Sequence, residues 1–219
     1  MVIAGAHSRV GLILSRLLVG REHQVSGIIR HPEQANTVHA AGAGAVLLDL
    51  SDTPAERLAE RLDGADAVVF AAGVGLGDAP GRANPVDGVA ALTLADAARL
   101  TGVRRCVMLS SMAPGPAAHY PRNPLVETYL RAKGEVDEEL LARPALDCTV
   151  LRPAWFRDGP GAGLVRLATT TGPGEIDRAD AAAVLAALLD TPATAGLTLE
   201  LVSGTTPVAE AVTAAALQR

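Results

Sequence analysis

The segment Met1–Gly20, MVIAGAHSRVGLILSRLLVG, contains three features that together predict the fold. It opens with the short apolar run Val2–Ala4, typical of a buried strand, and continues into a loop framed by Gly5 and Gly11. Apolar residues then recur at helical spacing as far as Leu18, and a glycine stands where the helix should end. The segment therefore predicts a strand, a glycine loop and a helix in direct succession.

A loop of this kind is able to hold a pyrophosphate. The start of a helix carries unpaired N–H groups and the positive end of the helix dipole, and glycine lets the backbone come close without a Cβ. The middle glycine of a dinucleotide-binding loop is replaced by Ser8, whose hydroxyl can still donate to a phosphate. The loop alone is compatible with a cofactor site or with a plain tight turn. The predicted cofactor contacts in it are Gly5, His7, Ser8, Arg9, Val10 and Gly11.

The end of the next predicted strand, Gln24–Ile29, indicates which dinucleotide is bound. A carboxylate there favours NAD, whereas a basic residue accommodates the 2′-phosphate of NADP, and the residue is Arg30. The sequence therefore predicts NADP, with NAD possible, although Arg30 is also compatible with a solvated surface arginine. Asp49 and Leu50 follow the third predicted strand and are predicted to flank the adenine, or Asp49 caps the next turn.

Strands and helices alternate along the rest of the chain, which favours a doubly wound α/β fold of the Rossmann type. We predict a parallel sheet of about six to seven strands in a single domain, residues 1–219. Three small residues follow the fourth strand and would let a cofactor lie against bare backbone: Ala71, Ala72 and Gly73. The third predicted strand is 45–48, and those after it are 67–70, 105–109, 148–151 and 197–202, with 165–168 as a possible extra strand inside the lid. The predicted helices after the first are 33–41, 54–62, 86–100, 125–141, 177–189 and 207–217.

The composition disfavours several classes of function. The 219 residues carry a formal net charge of −5 and are 2% aromatic, so neither charge nor stacking surface favours nucleic acid. No apolar run approaches the ~20 residues of a membrane span. Cys106 and Cys148 fall in predicted core strands and are expected to be buried thiols of a cytoplasmic protein. The five histidines lack ligand-like spacing, so no metal is predicted.

The predicted helix 125–141 carries a pair of residues that suggests chemistry. Tyr129 and Lys133 are four residues apart and share one helical face within an apolar stripe. Lys133 is the only lysine among 19 basic residues, which suggests that this position favours an ammonium group over a guanidinium. The alternative is a lysine whose stem packs on the core while its charge reaches solvent.

An ammonium beside a phenol favours the phenolate and lowers the pKa of a tyrosine from ~10. Such a tyrosine can give a proton to a carbonyl oxygen while a nicotinamide delivers hydride. Ser110 and Ser111 end the fifth predicted strand at the same sheet edge, and one of them could orient the carbonyl. We assign the catalytic role to Ser111 and a cofactor contact to Ser110, with the assignment of the two left open.

The glycine loop, the serine pair and the Tyr129-x-x-x-Lys133 helix together resemble the short-chain dehydrogenase/reductase superfamily. The pattern is most similar to its atypical, NmrA-like branch of NAD(P)-binding proteins, which also has counterparts of the stretches 149–153 and 176–180. The resemblance implies that Lys133 also holds the nicotinamide ribose. Two departures are Ser8 in the glycine loop and Met112, which lies where some relatives would place the active serine. Two other functions known in this branch are also compatible with the sequence. One is cofactor binding without catalysis, and the other is reduction of flavins or quinones without the tyrosine.

The C-terminal third is predicted to form the substrate side. Pro153, at the end of the sixth strand, is a predicted cofactor contact, and Trp155 and Phe156 form either a substrate wall or a hydrophobic anchor. Residues 153–176 are predicted to be a small lid. We expect an NADP-dependent oxidoreductase acting on a small carbonyl, quinone or flavin-like acceptor, as a monomer or homodimer. The alternatives are a non-catalytic redox sensor and an epimerase that returns the hydride.

Overall fold

The computed structural model describes residues 1–72, 85–112 and 124–217, and the side chains of all of these except 85–87 and 124–129. The strands are β1 Val2–Ala4, β2 Ser26–Ile29, β3 Gly44–Leu47, β4 Ala67–Phe70, β5 Arg105–Leu109, β6 Asp147–Pro153, β7 Trp155–Arg157, β8 Leu164–Ala168, β9 Glu175–Asp177, β10 Thr198–Ser203 and β11 Thr206–Pro207. The helices are α1 Arg9–Val19, α2 Ala35–Ala40, α3 Ala55–Ala59, α4 Pro85–Thr101, α5 Pro124–Leu141, α6 Arg178–Leu189 and α7 Val208–Ala216, with short 3-10 turns at Pro32–Gln34 and Pro192–Thr194.

Nine of these strands form one sheet in the order β11-β8-β10-β6-β5-β4-β1-β2-β3. The strands β3, β2, β1, β4, β5, β6 and β10 run parallel, and β8 runs antiparallel to β10 and β11. The chain moves outward from β1 in one direction and then returns to start again at β4, so the strand order reverses between these two neighbours. The predicted doubly wound Rossmann fold is confirmed, and its ligand edge is the carboxyl end of β1 and β4.

Helices cover both faces of the sheet. One core cluster joins α1 and α6 through residues such as Leu14 and Leu185, and the other joins α3, α4 and α5 through Leu58, Leu94 and Leu140. All five of these leucines are buried, because each helix turns its apolar stripe toward the strands. Within the described ranges, no helix is both long and apolar enough to cross a membrane.

The seven parallel strands agree with the predicted parallel sheet of about six to seven, and the structure adds short strands that were not predicted. Strands β7, β9 and β11 are two or three residues long, and such short runs carry no periodic pattern that a sequence reveals. Within the segment 153–176, predicted to be a lid, β8 joins the central sheet while β7 and β9 pair in a separate two-stranded sheet. The function of this segment as a lid stays a prediction.

A buried arginine fastens the sheet to the end of α6. Arg105 on β5 is 8% exposed, and one of its terminal nitrogens donates to the carbonyl of Leu188 at 2.5 Å and to the Thr194 hydroxyl at 3.1 Å. The other terminal nitrogen donates to the Asp147 carbonyl at 2.7 Å and to the Thr149 hydroxyl at 2.9 Å. A single guanidinium thus satisfies polar groups of β6, α6 and the turn that follows α6.

Replacement of this arginine tests how much of the fold depends on it. We expect Arg105→Ala to lower the free energy of unfolding by about 3 kcal/mol, since it leaves several buried oxygens without a donor. Urea denaturation followed by circular dichroism measures the change. The matched control is Arg104→Ala. The guanidinium of Arg104 is exposed and pairs with Asp147 at 3.0 Å, so its removal should change the free energy of unfolding little. Equal effects of the two substitutions would contradict the assigned role.

Candidate functional site

The glycine loop has the steric demands of a tight phosphate-binding turn. Gly5 has a φ of +79°, and a Cβ at this position would lie 2.4 Å from the backbone nitrogen of Ala72. A Cβ on Gly11 would lie 2.5 Å from the carbonyl oxygen of Gly5. Both glycines are therefore required for the loop to close against the end of β4 and for α1 to close against the loop. Gly11 packs against the loop itself, next to Gly5 and Ser8.

Ser8 organises the start of α1 from the position of the replaced glycine. It is the N-cap residue, and its Oγ accepts from the Gly11 N–H at 3.0 Å while its own N–H donates to the Gly5 carbonyl at 2.9 Å. As an acceptor in this cap, the hydroxyl keeps its own hydrogen for donation. The first turn of α1 has no acidic residue. The residues present therefore fit an anionic group at this helix start.

The small residues after β4 lie beside the loop. The N–H of Ala71 donates to the Ala4 carbonyl at 2.8 Å, which continues the pairing of β4 with β1 by one residue. Ala71 is buried and Ala72 is half-buried, so the chain here presents backbone and methyl groups only. Gly73, which was predicted to continue this surface, lies outside the described residues. His7 and Val10, the remaining loop predictions, are exposed and buried respectively.

At the predicted adenine side, Arg30 and Asp49 form a pair. The Arg30 Nε lies 3.6 Å from Asp49 Oδ2, and both side chains are partly exposed. Asp49 also caps the turn after β3, because its Oδ1 accepts from the N–H of Ser51 at 3.0 Å and from the Ser51 hydroxyl at 2.5 Å. The bond from the Ser51 hydroxyl is the largest cause that lowers the pKa of Asp49, with Arg30 adding to it. The capping role is thus observed, whereas the contact of Asp49 and the buried Leu50 with adenine stays a prediction.

Arg9 connects the glycine loop to the C-terminal part of the chain. Its guanidinium lies 2.7 Å from Asp158 Oδ2, and the other oxygen of Asp158 lies 2.7 Å from Arg178 at the start of α6. Arg9 and Asp158 are more than half exposed, so this bridge contributes little stability but places two cations around one carboxylate. Asp158 was not predicted, because it is 149 residues from Arg9 in the sequence.

The face of α5 that carries Lys133 contains a buried polar cluster. Lys133 is 9% exposed, Asp137 one turn later is 1% exposed, and Ser110 after β5 is 4% exposed. Asp137 Oδ2 accepts from the Ser110 hydroxyl at 2.8 Å and from Arg152 Nε, on β6, at 2.8 Å. Burial raises the pKa of Asp137, and the bonds from Ser110 and Arg152 act against that rise. The sequence therefore brings one carboxylate and two cations together at the carboxyl ends of β5 and β6.

Asp137 and Arg152 are functional candidates that the sequence interpretation missed. The signal was present, because Tyr129, Lys133 and Asp137 follow one another at intervals of four and therefore share a helical face. The side chain of Tyr129 lies outside the described residues, and α5 includes its position. The distance between the phenol and the ammonium stays a prediction.

The two serines after β5 differ in their surroundings. Ser110 donates its only hydroxyl hydrogen to Asp137, while Ser111 is half-buried at the strand end. Met112 follows them and its N–H donates to the Pro153 carbonyl at 3.0 Å, so the end of β6 lies beside the serine pair. This arrangement favours Ser111 over Ser110 for contact with a substrate oxygen, and that contact stays a prediction.

The two aromatic residues after β6 have different roles. Phe156 packs against the core and lies beneath the Arg178 guanidinium, whose carbon is 5.1 Å from the ring centre. Trp155 is 41% exposed on the neighbouring position of β7. Phe156 is thus the hydrophobic anchor of the two alternatives, and Trp155 remains the candidate for a substrate wall.

Cys106 and Cys148 are in register on β5 and β6, and both are buried and unoxidised, which confirms their predicted core positions. A hydrogen bond that the Cys148 thiol makes to Cys106, together with burial, raises the pKa of Cys148 far above its ordinary value, so this thiol stays neutral. Among the described residues, no group of three or more histidine, cysteine or acidic side chains is arranged to hold a metal ion.

Comparison with known proteins gives a consistent result. A family model described as NAD(P)H-binding matches residues 5–192. The chain is 32% identical to a Bacillus subtilis protein named an uncharacterized sugar epimerase, over 96% of this chain and 97% of that one. A solved structure described as a putative NAD-dependent epimerase/dehydratase from Bacillus halodurans is 28% identical, with a TM-score of 0.84 over 97% of this chain and 98% of that chain.

A second solved structure, an oxidoreductase from Lactococcus lactis, is 24% identical and superposes with a TM-score of 0.82 over 100% of this chain and 98% of that chain. This likeness supports the fold. The family match covers the glycine loop, the serine pair and the Tyr129-x-x-x-Lys133 helix that the sequence singled out. The chain belongs to this NAD(P)H-binding family.

Proposed function

We propose that the protein transfers hydride between NADP(H) and a small carbonyl, quinone or flavin-like acceptor. The observation that carries the proposal is the buried cluster around Lys133, the only lysine of the chain, at the sheet edge that also bears the glycine loop. A buried ammonium is costly without a partner or a function. Here it lies one turn from a buried carboxylate and one turn from the position of Tyr129.

The spacing of the sheet supports a single site along this edge. The glycine loop follows β1 and the serine pair follows β5, with β4 between them. Neighbouring strands are ~4.8 Å apart, so the loop and the serines lie on the order of 10 Å apart along the edge. That span suits a dinucleotide whose pyrophosphate lies against α1 and whose nicotinamide lies over the end of β5.

The chemistry assigned to the chain is proton transfer. The bound nicotinamide supplies the hydride. Tyr129 gives its hydroxyl proton to the acceptor oxygen, and the Lys133 ammonium stabilises the phenolate that remains. Ser111 donates a hydrogen bond to the same acceptor oxygen and orients it. With a quinone or flavin-like acceptor the same groups would face a ring carbonyl.

The preference for NADP rests on Arg30. Its guanidinium is 48% exposed at the end of β2, and the 3.6 Å separation from Asp49 is too long for a direct hydrogen bond. The guanidinium therefore keeps donors for a 2′-phosphate, which it binds better than a hydroxyl. Asp49 holds the arginine at the strand end without neutralising it through a tight pair.

An epimerase that removes a hydride and returns it is the second candidate, and the name of the Bacillus subtilis relative favours it. Such an enzyme uses the same proton-transferring groups but leaves the amount of NADPH unchanged. Net oxidation of NADPH therefore separates the two candidates.

Turnover by the wild-type protein and by a Tyr129 variant tests the proposed reaction. We expect the purified protein to oxidise NADPH with at least one quinone, flavin or aldehyde, followed as loss of nicotinamide absorbance. Tyr129→Phe should lower kcat at least about a hundredfold because the proton donor is removed. The dissociation constant of NADPH, measured by nicotinamide fluorescence, should change little and serves as the control.

Two results would count against this proposal. If NADPH binds but no acceptor is turned over, the protein is a cofactor sensor or an epimerase. If an acceptor is turned over and Tyr129→Phe retains the wild-type kcat, the tyrosine has no catalytic function and the hydride passes to an acceptor that needs no protein acid.

Replacement of Arg30 tests the choice of cofactor. Arg30→Gln should weaken NADPH binding by at least about tenfold and leave NADH binding nearly unchanged, since only NADPH has the phosphate. Calorimetric titration with both cofactors measures the two effects. Arg21→Gln is the matched control, because Arg21 is also a half-exposed arginine paired with a carboxylate, Asp190 at 2.9 Å. Equal loss of NADPH and NADH affinity in Arg30→Gln would remove the phosphate assignment.

A further inference from the structure

Asp137 is almost completely buried, which is unusual for an acidic residue on a helix that covers a sheet. Its side chain is 1% exposed, and Oδ2 receives two hydrogen bonds of 2.8 Å, from Ser110 and from Arg152. The other oxygen, Oδ1, is buried and has no hydrogen-bond partner within the described part of the chain. A carboxylate pays a large desolvation cost at such a position unless positive charge compensates it.

The polar and charged groups around Asp137 come from α5, from β6 and from the residue that follows β5. Lys133 lies one turn earlier on α5, and β6 contributes Arg152 together with the neutral thiol of Cys148. The uncharged Ser110 directly follows β5. The described acidic residue of α4, Asp96, is paired with Arg143 at 2.6 Å, beyond the end of α5.

With Lys133 and Arg152 charged and Asp137 ionised, this cluster has one excess positive charge. That excess lies at the carboxyl ends of β5 and β6, where the proposed acceptor oxygen gains negative charge. A single carboxylate shared by two cations thus reduces their mutual repulsion without cancelling their attraction for an anionic oxygen.

We infer that Asp137 is a positioning residue whose buried carboxylate keeps the Lys133 ammonium protonated and holds Arg152 and Ser110 at the ends of β6 and β5. It acts through Lys133 and touches neither cofactor nor substrate. The inference deepens the proposed function and rests on it for its catalytic consequence. The electrostatic pairing itself is independent of catalysis.

The single lysine allows a direct test. Protein labelled with ¹³C-lysine gives one lysine side-chain signal, whose chemical shift follows the charge of the Lys133 amine during a pH titration. Asp137→Asn preserves the shape and can still accept from Ser110 and Arg152, but it removes the negative charge. We expect the amine of the variant to lose its proton at least about one pH unit lower than in the wild type.

Asp96→Asn is the matched control. It makes the same chemical change at a distant carboxylate. The partner of Asp96 is Arg143, which follows Lys133 by ten residues, a separation on the order of 15 Å along a helix. The Lys133 titration should be unchanged in this variant. An unchanged titration in Asp137→Asn would overturn the inference, because the carboxylate would then not be the counter-charge.

A second variant covers the case in which Asp137→Asn does not fold. Arg152→Gln removes the other cation, so Lys133 should lose its proton at higher pH than in the wild type. No upward change would overturn the inference. The titrations need neither cofactor nor acceptor, so their outcome is separate from whether NADPH is oxidised, and failure of the proposed function is distinguishable from failure of this inference.

Discussion

The close approach of Gly5 to the end of β4 is the contact on which the candidate site depends. The space for a Cβ is already occupied by the backbone of Ala72, and the loop turns through a positive φ at the same residue. This contact fixes where the chain leaves β1, and so fixes where α1 begins. The same edge then collects the residues that follow β4, β5 and β6, because all these strands are parallel. The site is therefore a consequence of strand direction combined with one residue that lacks a side chain.

Each cation that the sequence singled out lies near a carboxylate. Arg9 contacts Asp158, Arg30 lies near Asp49, and Lys133 lies one turn from Asp137. The first two pairs are exposed, so solvent and salt weaken them and a bound phosphate is able to compete with the carboxylate. The third is buried, where a charge is costly to expose or to leave unpaired. The exposed pairs suit the reversible binding of a phosphate, whereas the buried one suits a permanent charge arrangement.

Much of the fold was predictable because local patterns determine it. The bounds of β1, β4 and β5 agree with those predicted from apolar runs, and α1 and α5 agree to within about one residue of the helical pattern. Strand β8 was predicted as an element, but its antiparallel pairing with β10 was not, since pairing depends on residues more than thirty positions apart. The short strands β7, β9 and β11 exist through such pairing and have no pattern of their own.

The residues of the candidate site likewise fall into those that local sequence patterns identify and those that only the structure reveals. Gly5, Ser8, Arg30 and Lys133 were identifiable because each stands at a marked position of a local pattern. Asp158 and Arg152 were not, since their contacts join separate parts of the chain, and Asp137 was overlooked although it continues the spacing of Lys133. The capping bond of Asp49 with Ser51 and the packing of Phe156 against the core were found only from their observed contacts, while the adenine contact of Asp49 stays a prediction.

The measurement that tests the central claim most directly is a crystal structure of the protein with NADPH bound. The account predicts pyrophosphate oxygens within hydrogen-bond distance of the N–H groups in the first turn of α1, with the nicotinamide over the ends of β5 and β6. A pyrophosphate bound away from α1, with the Gly5–Gly11 loop unoccupied, would contradict it.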